Sequence, residues 1–158
     1  MGYQKKNKLH IVAVVGVIRN KDGRYLVLKR HQREIAYPGQ YTLPGGKVEN
    51  NNTIEETLAQ EIQEECGLTM KPGKILLKDK SFIRPDQQTV KVFSYLCEVE
   101  DNGRVVLSED FTDYKWVTTE ELKKIPHVGI AEELKKADEL YQIKIPLEKL
   151  KTKSVQEK

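Results

Sequence analysis

The sequence lacks a long apolar segment, and this absence excludes a membrane-spanning helix. The chain has 158 residues, and none of its apolar runs approaches the roughly 20 residues that a helix needs to cross a bilayer. The longest run, His10 to Ile18, is short, rich in β-branched residues and followed by Arg19 with no small-residue cleavage site. It is therefore predicted to be a buried strand rather than a signal peptide.

Cysteine is scarce, and this limits both the cellular compartment that we expect and the disulfide or zinc chemistry that the chain can carry. The chain contains two cysteines, Cys66 and Cys97, and they form no C-x-x-C pair. This spacing excludes a disulfide framework and a cysteine-based zinc site. Unpaired thiols are typical of a reducing compartment, so we expect a cytoplasmic protein.

A large excess of charge is also missing. The net charge is +3, which is too small to indicate a nucleic-acid partner by itself, so no stable one is expected. Apolar residues make up 38% and charged residues 32% of the chain, the balance of a soluble globular protein. We predict a single domain over residues 1–145 and a basic, frayed tail over residues 146–158.

Two common phosphate-binding motifs are absent. The sequence contains no G-x-x-x-x-G-K-[ST], so Gly46-Lys47 does not belong to a Walker loop, and it contains no G-x-G-x-x-G. These absences exclude the usual nucleotide-binding signatures of P-loop and dinucleotide-binding proteins.

Apolar periodicity and turn residues predict strands interspersed with helices. The first two strands flank an Asn20–Gly23 turn and are expected to pair as a hairpin. The mixed order indicates an α/β sandwich with its sheet covered on both faces. The predicted strands are His10 to Ile18, Tyr25 to Lys29, Tyr41 to Leu43, Ile75 to Phe82, Thr89 to Glu98, Val105 to Leu107 and Tyr114 to Val117. The predicted helices are Thr53 to Cys66, a short one opened by Thr118, and Ile130 to Tyr141.

The helix from Thr53 to Cys66 carries two stripes of side chains. Thr53 and Glu56 have the spacing of a capping box, and Gly67 suits the left-handed end of a helix. At about 100° per residue, an acidic stripe borders the apolar one along the edge of the buried face. The apolar stripe contains Ile54, Leu58, Ile62 and Cys66. The acidic stripe contains Glu61, Glu64 and Glu65.

The acidic stripe favours a divalent cation, although a solvated helix surface explains it equally well when the helix is considered alone. The three carboxylates repel each other, and the helix contains no lysine or arginine to offset them. Mg²⁺ prefers such oxygen ligands. Gly45 and Gly46, just before the helix, let a backbone approach a ligand closely, although they also suit a simple turn. The combination of the strand, the two glycines, the capped helix and the acidic stripe is more specific than any of these features alone.

This stretch resembles the signature of the Nudix hydrolases. That signature reads glycine, five residues, Glu, seven residues, then Arg-Glu-apolar-x-Glu-Glu-x-Gly-apolar. Gly46 occupies the glycine position, and Gln60 to Leu68 match the second half without insertion or deletion. The lead-in Leu43-Pro44-Gly45-Gly46 is similar to that family, as is Trp116 ahead of Glu120-Glu121-Leu122. The resemblance spans Leu9 to Tyr141.

The resemblance implies a Nudix-type α/β/α sandwich with a mixed central sheet, and a metal-dependent hydrolase. Such an enzyme cleaves a pyrophosphate bond in a nucleoside diphosphate linked to another group, and we mildly prefer a nucleoside triphosphate as the small-molecule substrate. A homodimer is an open alternative to a monomer. The implied ligands of Mg²⁺ (or Mn²⁺) are Glu61, Glu64, Glu65 and the Gly45 carbonyl. The implied catalytic acids are Glu61, Glu64 and Asp110, the last chosen by its spacing to Trp116.

Two positions depart from the signature. Asn52 stands where the family has its first Glu, and Gln60 stands where it has Arg. A neutral hydrogen bond from Gln60 is roughly half as strong as a charged one. One alternative is therefore a catalytically weakened Nudix-fold nucleotide-binding or regulatory domain. A second alternative is an RNA-acting member, which the basic tail from Lys144 would favour.

Three residues outside the acidic helix are predicted to bind the substrate. Arg30 follows the second strand and suits a phosphate, because guanidinium matches phosphate oxygens. Lys47 follows the two glycines and is likewise a candidate to bind a substrate phosphate. Tyr41, like Tyr37, is predicted either to stack on a base or to belong to the core.

Overall fold

The computed structural model describes residues 9–100 and 104–142. The predicted tail, 146–158, lies outside the described residues. The strands are β1 Ile11–Ile18, β2 Tyr25–Arg30, β3 Tyr41–Thr42, β4 Gly45–Lys47, β5 Ile75–Ile83, β6 Thr89–Cys97 and β7 Phe111–Val117. The helices are α1 Ile54–Cys66, α2 Thr119–Leu122 and α3, residues 131–142. No helix in this part of the chain is both long and apolar enough to cross a membrane.

The strands form two sheets. A four-stranded sheet has the order β4-β1-β6-β5, and a three-stranded sheet has the order β3-β2-β7. In the first sheet β1 pairs with β6 in parallel, whereas β4 and β5 pair antiparallel with their neighbours. The predicted mixed sheet is therefore confirmed, and the second sheet, which is antiparallel throughout, accompanies it.

Helices α1 and α3 pack against two separate groups of buried side chains. Leu58 and Ile62 of α1 share a cluster with Val14 of β1. Leu134 of α3 shares the other cluster with Val17 of the same strand. Because β1 contributes to both clusters, the four-stranded sheet lies between the helices. The predicted α/β sandwich is confirmed.

The two ends of α1 agree with the sequence-based interpretation. The Thr53 side chain accepts a hydrogen bond from the Glu56 backbone N–H, and the Glu56 side chain accepts one from the Thr53 backbone N–H. Gly67 ends the helix in a left-handed conformation with φ 69°. A second capping box, between Thr118 and Glu121, opens α2. The contacts at Thr53, Glu56 and Gly67 fix where α1, and with it the acidic stripe, begins and ends.

Two predictions about strands were wrong, and one strand was missed. The first two strands do not form a hairpin: β1 pairs with β4 and β6, and only an isolated bridge joins Arg19 to Tyr25. Val105 to Leu107 is not a strand, because the Val106 N–H bonds to the Cys66 carbonyl at the end of α1. Finally, the sequence did not predict β4, whose two glycines disfavour a strand but fit beside β1.

Candidate active site

The two glycines of β4 bring the main chain directly against the acidic side of α1. A Cβ atom on Gly45 would overlap the Val14 carbonyl oxygen, and one on Gly46 would lie 2.6 Å from the carboxyl carbon of Glu61. Gly45 has no room for a side chain, and a side chain at Gly46 would displace the Glu61 carboxylate. The backbone of β4 and the carboxylates of α1 therefore form one continuous polar surface.

Glu61 and Glu65 are the acids nearest this strand. The Gly45 N–H donates a hydrogen bond to Glu65 Oε1 over 3.0 Å, and the Glu61 and Glu65 carboxyl groups lie side by side, so that each affects the pKa of the other. Burial and the neighbouring Glu61 carboxylate raise the pKa of Glu65 to about 8. Burial and the charge of Glu64 also raise the pKa of Glu61. Two carboxyl groups in contact favour sharing a proton, because both cannot readily be charged.

Two further acids approach from other segments. The charges of Glu49 and Asp110 both raise the pKa of Glu61, and Asp110 acts on Glu65 as well. Asp110 was predicted near this site, whereas Glu49 was missed. Its signal in the sequence is its place in the loop between β4 and α1, three residues before Asn52. Glu49 thus supplies negative charge close to the site, whereas Asn52 is neutral and exposed.

The loop that carries Asp110 is tied to the end of α1 through its backbone. The Val106 N–H donates to the Cys66 carbonyl over 2.8 Å, and the Ser108 N–H donates to the Glu65 carbonyl over 3.1 Å. These bonds explain how a residue far away in the sequence lies beside the acidic stripe.

Glu64 lies close enough to Glu61 for its charge to raise the pKa of that residue. It is exposed and accepts a 2.9 Å hydrogen bond at Oε1 from Nε2 of Gln60, one turn earlier on α1. The neutral residue at the arginine position of the signature therefore still orients this carboxylate.

The predicted substrate-binding residues lie in three different environments. Lys47 is exposed at the end of β4 and lines a cavity of about 380 Å³ together with Glu49. Arg30 donates from Nε to the Ala36 carbonyl over 2.9 Å, which occupies one side of its guanidinium group. Tyr41 is 4% exposed, and its hydroxyl donates to Asp113 over 2.8 Å. The core alternative describes Tyr41, because its ring has no open face for a base.

The donor set fits a hard divalent cation. The side chains of Glu61, Glu64 and Glu65 offer oxygen ligands, and Gly45 and Gly46 let a ligand approach the main chain. As the side chains stand, no three His, Cys, Asp or Glu residues among residues 9–100 and 104–142 converge in a ready-made metal site. Glu64 is instead hydrogen-bonded to Gln60, and Glu65 is hydrogen-bonded to the Gly45 N–H. A bound cation would supply the positive charge that offsets the repulsion among these carboxylates.

Comparison with known proteins agrees with this fold. The model of the NUDIX domain family matches residues 9–137, and the chain belongs to that family. It is 32% identical to nucleoside triphosphatase NudI of Escherichia coli O139:H28 over 117 residues, which cover 69% of this chain and 82% of that protein. It is 36% identical to NudI of Klebsiella pneumoniae (strain 342) over 118 residues, or 70% and 83% of the two chains.

A solved structure has a similar fold. The MutT protein from Methanosarcina mazei Go1 is 27% identical, with a TM-score of 0.70 over 84% of this chain and 95% of that one. Membership of the family supports hydrolysis of a pyrophosphate bond in nucleotides as the general activity.

Proposed function

We propose that this chain hydrolyses a pyrophosphate bond of a nucleoside triphosphate and that the reaction depends on Mg²⁺ or Mn²⁺. The observation that carries the proposal is the contact of the Glu61 and Glu65 carboxyl groups with the side-chain-free strand Gly45-Gly46. The preference for a triphosphate is supported by the relatives from Escherichia coli and Klebsiella pneumoniae, both named nucleoside triphosphatases.

The residues that would hold the cation come from α1 and β4. They are the carboxylates of Glu61, Glu64 and Glu65 and the carbonyl of Gly45. A divalent ion held there would neutralise charge on the substrate phosphates and orient the attacking water. Glu49 and Asp110 add negative charge around these ligands and strengthen the attraction for a cation.

The chain's own side chains would then divide the remaining work. Glu64, oriented by Gln60, is our first candidate to take the proton of the attacking water, and Asp110 is the second. Lys47, exposed at the end of β4, would contact a phosphate oxygen of the substrate. The N–H of Gly45 would hold Glu65 in place, as it does in this structure.

The rival function is nucleotide binding without cleavage. Asn52 and Gln60 favour it, because each replaces a charged residue of the signature with a neutral one. The hydrogen bond from Gln60 to Glu64 supports catalysis instead, since it preserves the orientation that the charged residue would give. The two functions differ in a single observable, the release of products.

Product release from a substrate panel tests the proposal. The purified chain is incubated with nucleoside triphosphates, dinucleoside polyphosphates, ADP-ribose and nucleotide sugars, each with Mg²⁺, Mn²⁺ or EDTA, and the products are separated by chromatography. We expect metal-dependent cleavage, fastest with a nucleoside triphosphate. If every substrate stays intact with both metals, the catalytic proposal fails and the binding function replaces it.

A further inference from the structure

The loop from residue 31 to 40, between β2 and β3, exposes two large apolar side chains. Ile35 is 101% exposed and Tyr37 is 57% exposed. A single exposed apolar residue is ordinary, but two in one short loop are a reason to look for a ligand. Tyr37 also has φ 49°, in the left-handed region that a bulky residue rarely adopts. Backbone strain of this kind is concentrated at functional sites.

Hydrogen bonds within the loop hold it in this conformation. Arg30 is the main clamp: its Nε donates to the Ala36 carbonyl over 2.9 Å, and its carbonyl accepts from the Gly39 N–H over 3.1 Å. Its guanidinium also pairs with Glu34 over 3.5 Å. The Gln40 N–H donates to the Tyr37 carbonyl over 3.3 Å. The exposure of Tyr37 is therefore a property of a structured loop.

A short chain of backbone contacts connects this loop to the acids of α1. Arg30, where the loop begins, is paired with Phe111 at the start of β7. The Phe111 N–H donates to the Ser108 carbonyl, and the Ser108 N–H donates to the Glu65 carbonyl. Arg30, at the base of the loop, and Glu65, near the end of α1, are thus both linked to the start of β7, and a nucleotide bound there could extend from one to the other.

We infer that Tyr37, with Ile35 beside it, is the platform on which the base of the nucleotide substrate stacks while the acids of α1 receive its phosphates. The inference rests on the proposed function. An aromatic ring stacks on any base, because every base has a flat π face. Tyr41, the next tyrosine along the chain, cannot take this role because it is buried. Arg30 is then a positioning residue that presents Tyr37.

The substitution Tyr37→Gly separates binding from folding. Glycine adopts a positive φ without strain, so the variant should unfold at the same temperature as the parent or slightly higher. It lacks the ring, so KM for a nucleoside triphosphate should rise about tenfold with kcat nearly unchanged. Tyr37→Trp keeps a stacking surface and should retain the parental KM.

Gln87→Gly is the matched control. Gln87 also has a positive φ, 69°, but it lies in the β5–β6 turn of the four-stranded sheet, away from this loop. Its replacement should relieve similar strain and leave KM unchanged. A second control uses inorganic triphosphate, which lacks a base, as a competitive inhibitor. Its inhibition constant should be the same for the parent and for Tyr37→Gly.

An unchanged KM in Tyr37→Gly would overturn the inference. So would an inhibition constant for inorganic triphosphate that rises as much as KM, because the loop would then act on the phosphates. If the parent cleaves no substrate, the proposed function fails, and the same variants are compared by their Kd for a non-hydrolysable nucleoside triphosphate analogue. A tenfold weaker Kd in Tyr37→Gly would still support stacking, and an equal Kd would refute it.

Discussion

Gln60 Nε2 donates a 2.9 Å hydrogen bond to Glu64 Oε1, one turn further along α1. The family signature has arginine at position 60, and here a neutral side chain makes the contact with Glu64. On this account the charge of residue 60 tunes the rate and does not decide whether the site works.

Removing this donor should slow the enzyme. Gln60→Met has a similar length and no hydrogen-bond donor, and we expect kcat to fall about three- to tenfold, the usual worth of one neutral hydrogen bond. The melting temperature should not change, because Gln60 is exposed. Gln60→Arg should be faster than the parent, since a charged hydrogen bond is stronger. Equal rates for all three proteins would mean that the contact does not orient Glu64.

Adding one methyl group at Gly46 should damage the site. The new Cβ atom would lie 2.6 Å from the carboxyl carbon of Glu61 and would push that side chain away. We expect Gly46→Ala to lower kcat/KM about tenfold or more, measured by steady-state hydrolysis. Gly129→Ala is the control: its Cβ would meet no atom within 4 Å, but φ is 88°, so it should lose stability and keep its activity. Full activity in Gly46→Ala would show that the close approach is irrelevant.

The buried carboxylate of Glu133 should make the stability of the fold depend on its partner Lys80. Glu133 is 2% exposed and pairs with Lys80 over 2.7 Å. Lys80→Met would leave the carboxylate buried without its partner, and we expect a loss of about 1–3 kcal/mol in the free energy of unfolding. Chemical denaturation measures this loss. Adding Glu133→Leu should recover most of it, and a double variant as unstable as Lys80→Met would refute the explanation.

The two buried thiols predict lower stability at alkaline pH. Burial raises the pKa of Cys66 and of Cys97 to about 12, whereas a thiol in the unfolded chain has a pKa of about 8.5. The unfolded chain therefore releases these protons first, and stability present below about pH 8.5 is lost as the pH rises towards 12. Urea unfolding at pH 7 to 10 measures the slope. The double variant Cys66→Ala, Cys97→Ala should have a shallower slope, and an unchanged slope would contradict the assignment.

Local signals explain which parts of the fold could be predicted. The start of α1 follows from the capping box of Thr53 and Glu56, and its end follows from Gly67. The strand β4 has no such local signal. Gly45 fits beside Val14 of β1 because it has no side chain to overlap the Val14 carbonyl oxygen, and this contact exists only in the folded protein. The turn at Asn20–Gly23 is likewise real, but the choice of partners for β1 is a tertiary matter that a turn does not reveal.

The same distinction applies to the candidate site. Glu61 and Glu65 could be predicted to lie together, because residues four apart share one face of a helix. Glu49 was missed because its approach to Glu61 depends on the path of the loop after β4. The role of Arg30 in clamping its own loop was hidden as well, since its partner is a backbone carbonyl that no sequence pattern marks.

The most direct test of the proposed catalysis compares three glutamate-to-glutamine variants with the parent in Mg²⁺. The measurement is kcat/KM for hydrolysis of a nucleoside triphosphate by Glu61→Gln, Glu64→Gln and the control Glu139→Gln, which lies exposed on α3. We predict that the first two lose activity about 100-fold or more, while the control keeps it. Hydrolysis at the parental rate by both Glu61→Gln and Glu64→Gln would contradict the account.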